Sequence, residues 1–159
     1  MRMKALRFAI LFALLARVPG AYAAATIEEA DFAFQNQKME QAIQLYQRVL
    51  QGDPQALEAK VGLAYCYYVK RQYPRATALV NEVLATNSTH IRGLLLRARL
   101  YTQSGNLETA KLALQQAAEV APNNAEVHTA LGNVLYSLGD AKEADVHYNT
   151  ARSLVRPGR

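Results

Sequence analysis

Ala42, Ala76, Ala110 and Ala144 follow one another at intervals of 34 residues. Ala30, Ala64, Ala98 and Gly132 form a second column of small residues in the same register. Tyr46, Val80, Leu114 and Tyr148 form a third, always large. Pro54, Ser88 and Pro122 mark a fourth, with Pro157 one place late. A fixed period of this length is the signature of stacked helical hairpins. Two helices approach closely only where one side chain is small, and the bulky columns fill the space around such contacts. Arrays of this kind offer an extended face to other macromolecules, so the period already bears on function.

The first residues follow a different logic. Arg2, Lys4 and Arg7 precede an unbroken apolar run from Phe8 to Ala16, and Ala21-Tyr22-Ala23 is a small-x-small end. That layout predicts a secretory signal peptide cut after Ala23. The alternative is an uncleaved membrane anchor facing the periplasm. The run has nine residues, against roughly 20 needed to span a bilayer, and Arg17, Pro19 and Gly20 interrupt any extension.

The leader also explains the charge. The chain has 18 Lys+Arg and 13 Asp+Glu. Four of the 18, Arg2, Lys4, Arg7 and Arg17, lie in the leader, which has no acidic residue, so 14 basic residues face 13 acidic ones in the remainder. Nucleic-acid binding needs a clustered basic footprint, which this balance does not supply. The remaining length is that of one domain able to bury roughly two-thirds of its unfolded surface. Cys66 is the sole cysteine, so no intramolecular disulfide forms; its apolar setting, Leu63 to Val69, predicts a buried packing residue.

The spacing predicts helices near 26–36, 39–51, 55–70, 73–86, 89–103, 107–120, 123–138 and 141–154. Thr26-x-x-Glu29 has the form of a capping box. Asp53-Pro54 reads as a cap followed by Pro at the first helical position. Gly105-Asn106 and Gly139-Asp140 read as left-handed helix ends followed by caps, and Pro74 falls at a helix start.

On these residues the chain resembles the tetratricopeptide repeat family. The fourth unit carries Leu131-Gly132, Leu135, Ala144, Tyr148 and Ala151; the third carries Leu94, Ala98, Tyr101, Ala110, Leu114, Ala117 and Pro122; the second carries Leu63-Ala64, Tyr67, Ala76, Val80 and Val83. The first has Ala30, Ala42, Tyr46, Val49 and Pro54 with a shortened opening helix. The resemblance implies an all-α solenoid of four helix-turn-helix repeats, about eight helices, at 24–56, 57–90, 91–124 and 125–157, after a signal peptide at 1–23. Departures are Lys60, Leu94 and His128 where a Trp-like residue stands in the family, and Arg97 where Leu63 and Leu131 are the counterparts.

In such arrays the first helix of each hairpin lines the concave side. The resemblance therefore points to Phe34, Tyr65, Tyr68, Arg92, Leu95, Arg99, Asn133 and Tyr136 as a partner-binding face. Tyr and Arg are over-represented among residues that dominate binding energy. Arg92 and Arg99, two turns apart, are expected to meet an acidic group of a peptide or partner helix. Tyr46, Tyr67, Tyr73, Tyr101 and Tyr148 fall in core columns. A carboxylate clamp of the chaperone-binding subtype is absent, since its places hold Ile27, Asp31, Val61, Tyr65, Leu95 and Arg99. Val146, Leu154 and Val155 on the last helix form a possible C-terminal interface.

No catalytic constellation emerges. His90, His128 and His147 make no His-x-x-x-His pair, there is no Gly-rich phosphate loop, and one Cys supports no nucleophile argument. The reading is a non-enzyme without cofactor or metal, binding a protein or peptide, with no nucleic acid, no membrane span after cleavage and a possible homo-oligomer. An exported, periplasmic scaffold or assembly factor is the expectation. A permanent subunit of an envelope complex, or a homodimer through the last hairpin, is the alternative.

Overall fold

A computed structural model of the chain describes residues 25–155, so the leader expected over 1–23 and the late Pro157 lie outside the described residues. Among the described residues eight helices follow one another: α1 (Ile27–Gln35), α2 (Met39–Gly52), α3 (Leu57–Val69), α4 (Tyr73–Thr86), α5 (Ile91–Gln103), α6 (Leu107–Val120), α7 (Ala125–Leu138) and α8 (Ala141–Val155). Each packs on the next. In addition α1 touches α3, α3 touches α5 and α5 touches α7, whereas the even-numbered helices of this set do not touch one another. The odd-numbered helices therefore lie on the inside of the curve and line its concave face.

The columns perform as their sizes dictate. Ala42, Ala76, Ala110 and Ala144 are fully buried, as are Ala30 and Ala64. Tyr46, Val80 and Leu114 are buried beside them, while Tyr148 is half-buried. Tyr67, Tyr73 and Tyr101 are also only half-buried, so of the five tyrosines expected in core columns Tyr46 alone is enclosed. The buried side chains form two clusters. One joins Ala30, Ala33, Ala42, Tyr46, Ala59, Leu63 and Cys66. The other runs from Ala64 and Val80 through Leu94–Leu96 to Leu135 and Ala144, and Leu79 packs against both. Burial pushes the Cys66 thiol up to about 12, which leaves it protonated and inert at neutral pH.

The helix ends show where local signals held and where they gave way. Thr26 and Glu29 form the expected capping box, with Glu29 N donating to Thr26 Oγ1 at 3.1 Å and Thr26 N donating to Glu29 Oε2 at 3.2 Å. Asp53-Pro54 behaves differently from the expectation. Asp53 Oδ1 accepts from the backbone N of Gln55 at 3.0 Å, an Asx turn, and the helix starts only at Leu57. Asn87 makes the same turn with Thr89 N at 3.1 Å. Pro54 and its column thus serve the turns between hairpins. Asp140 caps α8 through Glu143 N at 3.2 Å, but Asn106 turns its amide back to Ser104 Oγ and caps nothing.

Inside each hairpin one residue adopts a positive φ, and these too are 34 apart: Gln37 (58°), Arg71 (58°), Gly105 (79°) and Gly139 (90°). The left-handed conformation costs a non-glycine residue about 1–2 kcal/mol. Arg71→Gly is therefore expected to stabilise the fold by up to about 1 kcal/mol, once the larger unfolded-state entropy of Gly is deducted. Urea unfolding at equal m-value measures it; an unchanged or lowered midpoint would refute the strain.

Candidate functional site

Aromatic and charged side chains cross the concave face as one ladder. Phe34 of α1 meets Tyr65 of α3 edge-on, with ring centroids 6.5 Å apart. The guanidinium carbons of Arg92 and Arg99 of α5 lie over the Tyr65 ring, 5.8 Å and 5.6 Å from its centroid, within cation–π range. Arg99 Nη2 then reaches Glu126 Oε1 of α7 at 2.8 Å. The ladder links all four hairpins. Burial raises the Tyr65 phenol above its ordinary value, opposed by Arg99, so the ring is a neutral platform at pH 7.

Both arginines are already paired. Arg92 Nη1 donates to Glu58 Oε2 at 2.7 Å, and His90 Nε2 lies 3.0 Å from the other oxygen of Glu58. His90 Nδ1 accepts from the backbone N of Gly93 at 3.2 Å, which puts its proton on Nε2. Arg92 and Arg99, expected to meet an acidic group of a partner, thus have counter-ions from neighbouring units in the chain itself. Glu126 was missed in the sequence, although Glu58, Arg92 and Glu126 form one column of alternating sign, the pattern that cross-unit pairs require.

Beside the ladder, between α5 and α7, lies a cavity of ≈ 360 Å³. Tyr68, Arg99, Thr129 and Asn133 line it, with Leu95 among the residues of its wall. Leu95 is corrected from a surface contact to a core residue, only 1% exposed, because α7 and α3 cover the face that a lone hairpin would show to water. Asn133 Oδ1 accepts from Tyr148 Oη at 2.9 Å, which leaves its amide hydrogens for a ligand. The hydroxyls of Thr102, Thr129 and Ser137 donate back to the carbonyls of Ala98, Ala125 and Asn133, so each turns only acceptor lone pairs outward. Tyr68 leans on Tyr73, with centroids 5.7 Å apart. Tyr136 does not line the cavity; it projects from α7 at 68% exposure.

The remaining expectations fall elsewhere. Val146 and Val155 are 61% and 70% exposed, and Leu154 is half-buried. Arg97 finds its partner in Gln116 Oε1, 3.0 Å from Nη2. His128 Nε2 donates to the Pro122 carbonyl at 2.8 Å, so its Nδ1 accepts from His147 Nδ1 at 3.0 Å. Burial, then the adjacent His128 ring, hold the His147 imidazole below its ordinary range. Ring centroids 5.2 Å apart place these nitrogens head-on, as in a hydrogen bond and not as converging metal ligands. Among the described residues no group of three or more potential ligands gathers, and no helix is long and apolar enough to cross a membrane.

Architecture and face together define a helical-hairpin repeat array with a lined inner groove. Three family models agree with that class and match residues 33–100, 98–139 and 9–56, each described as a tetratricopeptide or TPR repeat. The chain belongs to the tetratricopeptide repeat family, whose members are generally non-catalytic scaffolds for protein–protein interaction. Solved structures share the fold. A thermophilic TPR protein of Thermus thermophilus is 22% identical with a TM-score of 0.75, covering 80% of this chain and 72% of that one. The pilF protein of Pseudomonas aeruginosa is 22% identical with a TM-score of 0.74, covering 83% and 60%. The first TPR of Spaghetti (RPAP3), bound to the HSP90 peptide SRMEEVD, is 23% identical with a TM-score of 0.63, covering 70% and 89%.

Proposed function

We propose that this chain is an exported scaffold or assembly factor of the cell envelope that holds an extended peptide or partner helix along its concave face. The observation that carries the reading is the cavity between α5 and α7, which continues a ladder of side chains from all four hairpins. An aromatic platform flanked by hydrogen-bonding groups is the composition of surfaces that dominate peptide affinity. A protein of the same fold is seen with a short peptide, which supports the choice of ligand class. Export rests on the basic start, the short apolar run and Ala21-Tyr22-Ala23.

A photo-crosslinking residue at Tyr68 or Thr129, compared with one at Leu112 on α6, tests the reading in the native host. Adducts to one or a few envelope proteins are expected from the concave positions and none from Leu112. With the purified adduct partner, Tyr68→Ala is expected to weaken binding by about 1–3 kcal/mol. Equal labelling from both faces, or undiminished affinity, would reject the groove. The intact mass of the same exported material is expected to lack residues 1–23; their retention would reject the signal peptide.

The exposed Val146 favours a second reading, a permanent subunit or homodimer joined through α8. Sedimentation with and without Val146→Glu separates the two. A monomer in both cases, with partner binding unchanged, removes the second.

A further inference from the structure

Arg97 and Arg99 are two residues apart on α5 and so face opposite sides of the helix. Arg99 belongs to the concave ladder. Arg97 belongs to a groove on the other side, ≈ 650 Å³ in volume, between the first half of α4 and the last turns of α5. Its walls are largely apolar: Tyr73, Pro74 and Val80 from α4, and Leu100 and Tyr101 from α5. Among the described residues Arg97 is the one charged side chain lining it.

The guanidinium is left incompletely answered. Nη2 donates to Gln116 Oε1 at 3.0 Å, and Gln116 is itself anchored by Nε2 to the Ser88 carbonyl at 3.1 Å. Nε is buried and has no acceptor, and Arg97 makes no ion pair among the described residues. Arginine does not lose its proton in proteins, so a full positive charge stands half-buried in an apolar wall without a counter-ion. The second and fourth units resolve this position by chemistry that needs no ligand: Leu63 and Leu131 are buried at the equivalent places. The fold therefore accommodates leucine there, and the charge is not demanded by packing. A buried, unpaired charge is costly to keep, and a carboxylate supplied from outside would give the guanidinium its counter-charge.

We propose that this outer groove is a second docking site, which takes a partner segment carrying one Asp or Glu between apolar side chains. The carboxylate meets the Arg97 guanidinium while the flanking side chains pack on Tyr73, Pro74, Leu100 and Tyr101. The volume lies within the range of small concave sites, ~300–1,000 Å³. The proposal is independent of the concave groove.

The test follows the Arg97 Nε–H resonance of the purified protein by NMR, assigned in the wild type through scalar couplings to the Arg97 backbone. The probes are N-acetyl-Leu-Glu-Leu-amide, the same peptide with Gln for Glu, and sodium acetate. The Glu peptide is expected to shift the resonance saturably, the Gln peptide to bind at least ~10-fold more weakly, a loss of about 1.4 kcal/mol or more, and acetate to produce no saturable shift. Read at the backbone amide resonances of Leu100 and Tyr101, Arg97→Leu is expected to lose peptide binding while melting at or above the wild-type temperature, and Tyr136→Ala, remote from the groove, to retain it. No saturable shift with the Glu peptide, equal binding of the Gln peptide, a matching response to acetate, or retained binding in Arg97→Leu would each overturn the proposal. Because the peptide comparison uses the wild-type protein, it decides the matter even if Arg97→Leu does not fold.

Discussion

Tyr46→Ala is expected to cost about 3–5 kcal/mol of unfolding free energy, the most of any single truncation in the first hairpin. Tyr46 is 1% exposed, and its hydroxyl donates to Asp31 Oδ1, so the change empties an enclosed site and strands a carboxylate. The ring also explains a glycine. A Cβ added at Gly62 would overlap Cζ and Cε1 of Tyr46, and the ring, held at its hydroxyl, has nowhere to turn. Gly62→Ala is thus expected to cost about 1–3 kcal/mol by overpacking, outweighing the ~1 kcal/mol that alanine gains in a helix. In a Tyr46→Leu background the same Gly62→Ala change should become neutral or stabilising. Urea unfolding of the four proteins closes the cycle; additive effects would show that the two residues do not contend for one space.

Leu95→Ala is expected to cost about 2–5 kcal/mol, as a buried leucine should, whereas Tyr136→Ala should stay within about 0.5 kcal/mol of wild type, as an exposed ring should. The pair separates foundation from surface on the same concave face. Urea midpoints at equal m-value measure both. A near-neutral Leu95→Ala, or a Tyr136→Ala that unfolds as readily, would mean that the inner face is assigned the wrong way round.

How far the sequence carried these conclusions differs from residue to residue. The 34-residue columns foretold eight helices closely, because small and large residues in one register can satisfy only one packing. They could not foretell the fate of Leu95. Its column reads Ile27, Val61, Leu95, Thr129, and a single hairpin would leave it outward. Val61 and Leu95 are buried because curvature brings odd helices together, and curvature is a property of the stack. The start of α3 was misplaced for a related reason. Asp53-Pro54 is a sound start signal locally, but the chain must first turn to begin a new hairpin, and the Asp53 carboxylate is spent on that turn. The left-handed positions at Gln37 and Arg71 were hidden because only their two glycine counterparts announce the conformation.

The separation of the buried side chains into two clusters predicts where the molecule first comes apart. In a linear array each unit is held by its neighbours alone, so a seam between clusters is where partial unfolding begins. Here the seam runs through α3, with Leu79 touching both sides. The concave ladder crosses the same seam, at the contact between Phe34 and Tyr65. A ligand lying along the ladder spans both cooperative units and adds its binding free energy to the opening of the first. If a ligand occupies the inner face, opening of the first hairpin is expected to become rarer, and its lifetime would then gauge whether the groove is filled.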